Sequence, residues 1–152
     1  MCAARSGKPW PNGHGRVDSL FVDTNVFLRF LTADDPRKAE RAERLFRDAV
    51  RGKIRLTTSA LVVAEIVWTL ESYYRLDKAD IAGKVVRILN TPNLECEEAS
   101  VILHALDLYV SANVDFIDAY HAYWLKERSQ SRIATYDRKH FSRVPWLEIV
   151  EP

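Results

Sequence analysis

The chain has 152 residues, about the size of one domain, and 47% of them are hydrophobic, enough to bury a core. A formal net charge of +1 excludes the overall basic field of a bulk nucleic-acid binder, so any polyanion must be gripped locally. Cys2 and Cys96 offer neither a disulfide framework nor a zinc ligand set, and no apolar run nears the roughly 18 residues of a membrane span, so the cytoplasm is the expected compartment and no membrane partner is expected.

Residues 1–17 hold three of the five glycines and two prolines and lack the apolar centre of a secretory signal. They read as a disordered N-terminal extension, followed by one folded domain over residues 18–152. A short strand is expected over 17–22 and a short helix over 24–31. "ADDPRKAERAERLFRDAVRGK" predicts a helix capped by Asp35, with Pro36 at its first position and Gly52 beyond its end. Its inner stripe is Ala39, Ala42, Leu45, Phe46, Ala49 and Val50.

"IRLTT" is a second strand, and Ser59 caps the strongly apolar "ALVVAEIVWTLESYYR". Asp77 caps a helix that runs to about residue 90, and "LEC" is a short strand. The next helix places Ala99, Ile102, Leu103, Leu106, Tyr109 and Val110 on one stripe. A further helix in "VDFIDAYHAYWLKER" precedes strands in "SRIATY" and "WLEIV". Alternating short strands and helices predict an α/β fold with a largely parallel sheet covered on both faces.

Several familiar sites are absent: no phosphate-binding glycine loop, no G-x-S-x-G elbow and no H-E-x-x-H. Histidines 14, 104, 121 and 140 are scattered and read as surface or helix-packing residues. Acids in apolar company are the unusual feature. Asp23 interrupts "LFVDTNVFLRF" where a strand should end, and Asp137 ends "RIATY"; ligands of open parallel sheets bind at such carboxyl ends. Glu65 is the only charge between Ser59 and Leu70, costly on a buried face unless paired or metal-bound. Asp115 and Asp118 straddle a helix start.

Each acid also has a plainer reading. Asp23 can cap the following helix, Asp115 and Asp118 can form a capping box, and Asp137 can be a turn residue. Glu65 can meet an Arg from elsewhere. If the acids converge, two carboxylates about 4 Å apart repel by roughly 4 kcal/mol at an effective dielectric near 20. Such a cluster demands protons or a divalent cation, and all-oxygen ligation selects Mg²⁺ or Mn²⁺. These ions activate water and stabilise phosphoryl charge.

In order, "FVDTNVF", "LVVAEIVWTL", "DFIDAYHAYW" and "IATYDRKHF" resemble the motifs of PIN-domain ribonucleases. The likeness covers nearly all of residues 19–150 and is greatest to the VapC-type toxins of bacterial and archaeal toxin–antitoxin modules. It implies a three-layer α/β/α sandwich around a short, mainly parallel sheet, and a cleft for one or two Mg²⁺ or Mn²⁺ ions. By position, Asp23, Glu65, Asp118 and Asp137 match the catalytic, metal-holding acids, and Asn25 and Thr135 match polar residues that orient ligands or water. Asp115, doubled with Asp118, leaves the third ligand ambiguous and is counted as a further metal residue.

The resemblance also implies an RNA substrate, a cognate antitoxin partner and a homodimer. Lys126, Arg128, Arg132, Arg138, Lys139 and Arg143 surround Asp137, and Arg132, Arg138 and Lys139 are the expected phosphate contacts; a solvated basic face is the plainer reading. Family members start at the first strand, so the leader here reads as a misassigned start. A nuclease of RNA processing without an antitoxin, or a non-catalytic protein-binding module, are the competing functions.

Overall fold

The computed structural model describes residues 18–152; the expected N-terminal extension, Val17 of the first expected strand, Cys2 and His14 lie outside the described residues. In chain order the elements are β1 (Ser19–Phe21), α1 (Thr24–Thr32), α2 (Pro36–Val50), β2 (Arg55–Thr58), α3 (Ala60–Ser72) and α4 (Lys78–Leu89). They continue with β3 (Leu94–Cys96), α5 (Ala99–Ser111), α6 (Phe116–Glu127), β4 (Arg132–Ala134), a single 3₁₀ turn (Phe141–Arg143) and β5 (Glu148–Val150).

Local chemistry explains three of the six α-helix starts. The Asp35 carboxylate accepts from the Lys38 N–H at 3.2 Å, and Pro36 takes the first helical position. Ser59 Oγ accepts from the Val62 N–H and the Asp77 carboxylate from the Asp80 N–H. Gly52, at φ +72°, supplies the left-handed residue that turns the chain away after α2.

All strand pairings are parallel, as the sequence pattern predicts, and the helices cover the strands in an α/β sandwich. β2 lies between β1 and β3, in register Leu20 opposite Leu56 and Leu56 opposite Leu94. β4 and β5 form a second, two-stranded sheet with Arg132 opposite Glu148. The core joins Phe27 and Phe46 to Leu56, Val63, Ile66, Leu70, Ile81, Val85, Ile102, Leu106 and Tyr109. Phe27 and Phe30 both pack their rings on Phe46, at centroid distances of 5.4 and 4.7 Å. Among the described residues no helix is long and apolar enough to cross a membrane.

Three packing expectations need correction. Val50 and Val110, assigned to inner stripes, are exposed. α3 is not buried on most of its circumference: Val62, Val63, Ile66, Val67 and Leu70 face the core, while Leu61 (83% exposed), Glu65 and Trp68 (69%) form an open stripe. The reason is geometric. Apolar residues on two sides of a helix do not reveal which side a neighbour covers, and here one side faces a groove.

Candidate active site

The carboxyl ends of β1 and β2 are pinned together. The Val22 N–H donates to the Thr57 carbonyl at 2.8 Å, and the Thr58 hydroxyl donates to the Val22 carbonyl at 3.1 Å. This holds Asp23 at the start of α1 in an extended conformation, φ −85° and ψ 162°. Its exposed carboxylate makes no capping bond, so the capping alternative is not realised. Buried Thr24 follows, and its hydroxyl donates to Glu65 Oε2 at 2.6 Å, joining the first turn of α1 to the middle of α3. Glu65 is therefore exposed and held by a hydroxyl, not buried and in need of a countercharge.

At the other end of the groove, α6 starts without the expected capping box. Asp115 occupies the cap position, but its side chain accepts no bond from the first turn. The carboxylates of Asp115 and Asp118 turn instead to His140: Nδ1 lies 2.7 Å from Asp118 Oδ2 and 3.2 Å from Asp115 Oδ2. Asp115 is 64% exposed, Asp118 20% and His140 8% at the side chain. Among the described residues, these three form the only His/Cys/Asp/Glu group whose ligand atoms all lie within 4.8 Å of one another. Asp23, Glu65 and Asp137 are not part of it.

Asp137 takes the turn role. Its carboxylate accepts from the Lys139 N–H at 2.9 Å, and its own N–H donates to Thr135 Oγ1 at 3.0 Å. Asn25 is exposed on the first turn of α1. Of the basic residues around Asp137, Arg132 pairs with Glu148, Arg138 with Glu151 and Arg128 with Glu98, while Lys126 lies 4.2 Å over the Trp146 ring. Arg143 donates to the carbonyl of Asn113 at 2.6 Å and fixes the α5–α6 turn.

Two adjoining grooves meet at Ala64, Phe116 and Ile117. The smaller, of about 370 Å³, runs between α3 and the start of α6, with Trp68, Glu71 and Ser72 facing Asp115 and Asp118. Glu71 is held there by the hydroxyl of Tyr109, at 3.0 Å, and burial beside this carboxylate raises the Tyr109 pKa. The larger, of about 940 Å³, lies at the carboxyl ends of β1, β2 and β3. It is mainly apolar, with Glu95, Glu97, Glu98 and His121 on its wall, and bears none of the five acids singled out in the sequence; the smaller groove carries Asp115 and Asp118.

The sequence profile of the PIN domain matches residues 20–147, nearly the whole described chain. The chain belongs to the PIN-domain family. A VapC ribonuclease of Aquifex aeolicus (strain VF5) is 27% identical over 118 residues, which is 78% of this chain and 87% of the relative. Among solved structures, Mycobacterium tuberculosis VapC20, described as a sarcin-ricin loop cleaving toxin, aligns over 88% of this chain and 99% of its own at 21% identity and a TM-score of 0.36. VapBC2 from Rickettsia felis, solved bound to a DNA fragment from its promoter, aligns over 88% and 98% at 15% identity and the same TM-score. The resemblance to VapC-type PIN domains is thus borne out.

Asp115, Asp118 and His140 could hold a divalent cation at the start of α6, where one ligand atom from each lies within 4.8 Å of the others. Carboxylates suit Mg²⁺ and Mn²⁺, and the imidazole of His140 lies against both of them. His140 is the residue missed in the sequence. Its position beside Phe141 in "DRKHF" was the available signal, because a buried aromatic there draws its neighbour toward the core, but its partners lie 22 and 25 residues away.

Proposed function

We propose that this PIN domain is a divalent-cation-dependent endoribonuclease toxin, silenced in the cell by a cognate antitoxin. The observation that carries the reading is the Asp115–Asp118–His140 cluster, whose two carboxylates line a groove, in a chain of this family. Similarity to a VapC ribonuclease supports RNA as the substrate. Asp118 and Asp115 would hold Mg²⁺ or Mn²⁺, with Asp23, Glu65 and Asp137 completing the acidic site. Bound there, the ion supplies an activated water and stabilises charge on the phosphoryl group.

The chain's own residues do the positioning. The Thr24 hydroxyl, next in sequence to Asp23, holds the Glu65 carboxylate. Thr135 holds the Asp137 backbone, and Asn25 stands one residue beyond Thr24 on the same turn. Arg132 and Arg138 sit in exposed ion pairs, which contribute only about 0–1 kcal/mol each and exchange readily for RNA phosphates; Lys139 is the third proposed contact. The open stripe of Leu61 and Trp68, with Ile117 across the groove, supports a protein partner next to the acids, and the chain is proposed to act as a homodimer in the cytoplasm.

The test is cleavage of total RNA by the purified chain with Mn²⁺, with Mg²⁺ and with EDTA. Cleavage that stops in EDTA supports the proposal, and cleavage that continues in EDTA overturns it. Expression of residues 18–152 should slow growth and co-expression of a cognate antitoxin should restore it. Harmless expression of verified active nuclease would favour an RNA-processing role instead.

A further inference from the structure

Buried polar side chains are scarce in this fold: among the described residues only Thr24, Thr58 and His140 fall in that class. Both threonines spend their hydroxyls on the pinned strand end and on Glu65. A buried imidazole is costly unless it is hydrogen-bonded, and His140 spends Nδ1 between two carboxylates. In the tautomer that carries its hydrogen on Nδ1, the ring donates to Asp118 Oδ2 at 2.7 Å, since a carboxylate oxygen accepts.

The segment that carries the ring is anchored. Phe141, the first residue of the 3₁₀ turn, and Val144, just after it, are buried, and Arg143 ties the turn to the carbonyls of Ala112 and Asn113. His140 therefore meets the start of α6 from a fixed base. Among the described residues Asp115 has no other side-chain hydrogen bond or ion pair, and Asp118 has none besides His140. Without the imidazole, both carboxylates would be free to rotate apart under mutual repulsion. Asp137 stands three residues before His140, in the turn that leads into this anchored segment.

We infer that His140 is a positioning residue of the proposed nuclease site: its Nδ1–H converges Asp118 and Asp115 for the cation and docks the Asp137 turn onto α6. The inference rests on the nuclease reading for its purpose, and on the geometry for its content. Partners of this kind, which orient ligating carboxylates, typically change metal affinity or activity by 10–100-fold when removed.

The test uses the two amides as chemical rulers. In His140→Asn the side-chain N–H₂ falls where Nδ1 stands; in His140→Gln it falls near Nε2, out of reach of Asp118. Mn²⁺ affinity is measured by calorimetry on the full chain, melting is followed by circular dichroism, and electron spin-echo modulation of bound Mn²⁺ reports any coordinated nitrogen. We expect His140→Asn to keep Mn²⁺ affinity close to wild type and His140→Gln to lose about 10–100-fold, with no directly bound ¹⁴N in the wild-type spectrum. Equal affinity for all three proteins, or equal loss in both variants, overturns the inference. A ¹⁴N coupling in the wild type that both variants lose makes His140 a ligand and likewise overturns it. If the affinity series behaves as expected while no RNA is cut, the nuclease reading fails and the positioning role stands; if RNA is cut and the series is flat, the positioning role alone fails. A wild-type chain that takes up no Mn²⁺ overturns both.

Discussion

Asp115→Ala separates the capping role expected for this residue from the role its position supports. A lost cap costs about 0.5–2 kcal/mol, but Asp115 makes no capping bond. The hydrogen bond from His140 goes to Asp118 at 2.7 Å, so beyond the longer 3.2 Å contact of Asp115 with the same Nδ1 two opposing terms remain. Ligand oxygens of Asp115 and Asp118 lie within 4.8 Å, a repulsion of at least about 0.9 kcal/mol in water and 3.5 kcal/mol at an effective dielectric of 20. With Asp115 64% exposed, the water limit is the better guide, so removal gains about 1 kcal/mol. Against this, an acid at a helix N-terminus contributes about 0.3–1 kcal/mol through the helix dipole. The metal-free variant should therefore match wild type within about 0.5 kcal/mol in urea denaturation. Mn²⁺ is expected to discriminate. At a concentration 100 times the wild-type Kd it stabilises by about 2.7 kcal/mol, and a tenfold weaker site would give about 1.4. A loss of 1–2 kcal/mol without metal, and an unchanged response to Mn²⁺, would show that Asp115 is a cap after all.

Thr24→Val keeps shape but removes the donor to Glu65, so cleavage should fall while stability drops by only about 1 kcal/mol, as for one hydrogen bond; full activity in the variant would show that Glu65 needs no such support. Asp34, bonded by the Tyr74 hydroxyl and the Arg29 guanidinium, has its pKa lowered from 3.8 to about 2. A depressed carboxyl stabilises the fold above its unfolded pKa and loses that contribution as pH falls through the folded value. The stability gap between wild type and Asp34→Asn should hold above pH 3.8 and close toward pH 2, and a gap that does not depend on pH would refute the linkage. Arg138→Ala should lower the salt slope of single-stranded RNA binding by about 0.7 for each phosphate the guanidinium neutralises; an unchanged slope would leave Arg138 to its pair with Glu151.

What was legible in the sequence was local. Asp35, Ser59 and Asp77 cap the helices that follow them because a cap needs only the next three residues. Asp23 reads as an acid at a strand end because the strand and the helix around it both carry local signals. Long-range partners were not legible. Asp115 has the same local context as a cap, yet a histidine 25 residues later takes its carboxylate. Glu65 looked buried because its neighbours are apolar, and only the packing shows which face of α3 stays open. The split between the β1–β2–β3 and β4–β5 pairings leaves no trace in strands this short, since three residues carry too little pattern to name a neighbour.

The central claim is that carboxylates at the start of α6 hold the cation that cuts RNA. It is tested most directly by single-turnover cleavage of one labelled RNA by wild type and Asp118→Asn at matched folding, with Mn²⁺ and with EDTA. The account predicts cleavage by the wild type in Mn²⁺ alone and none by a folded Asp118→Asn. Wild-type rates in Asp118→Asn, or cleavage by the wild type that persists in EDTA, would contradict it.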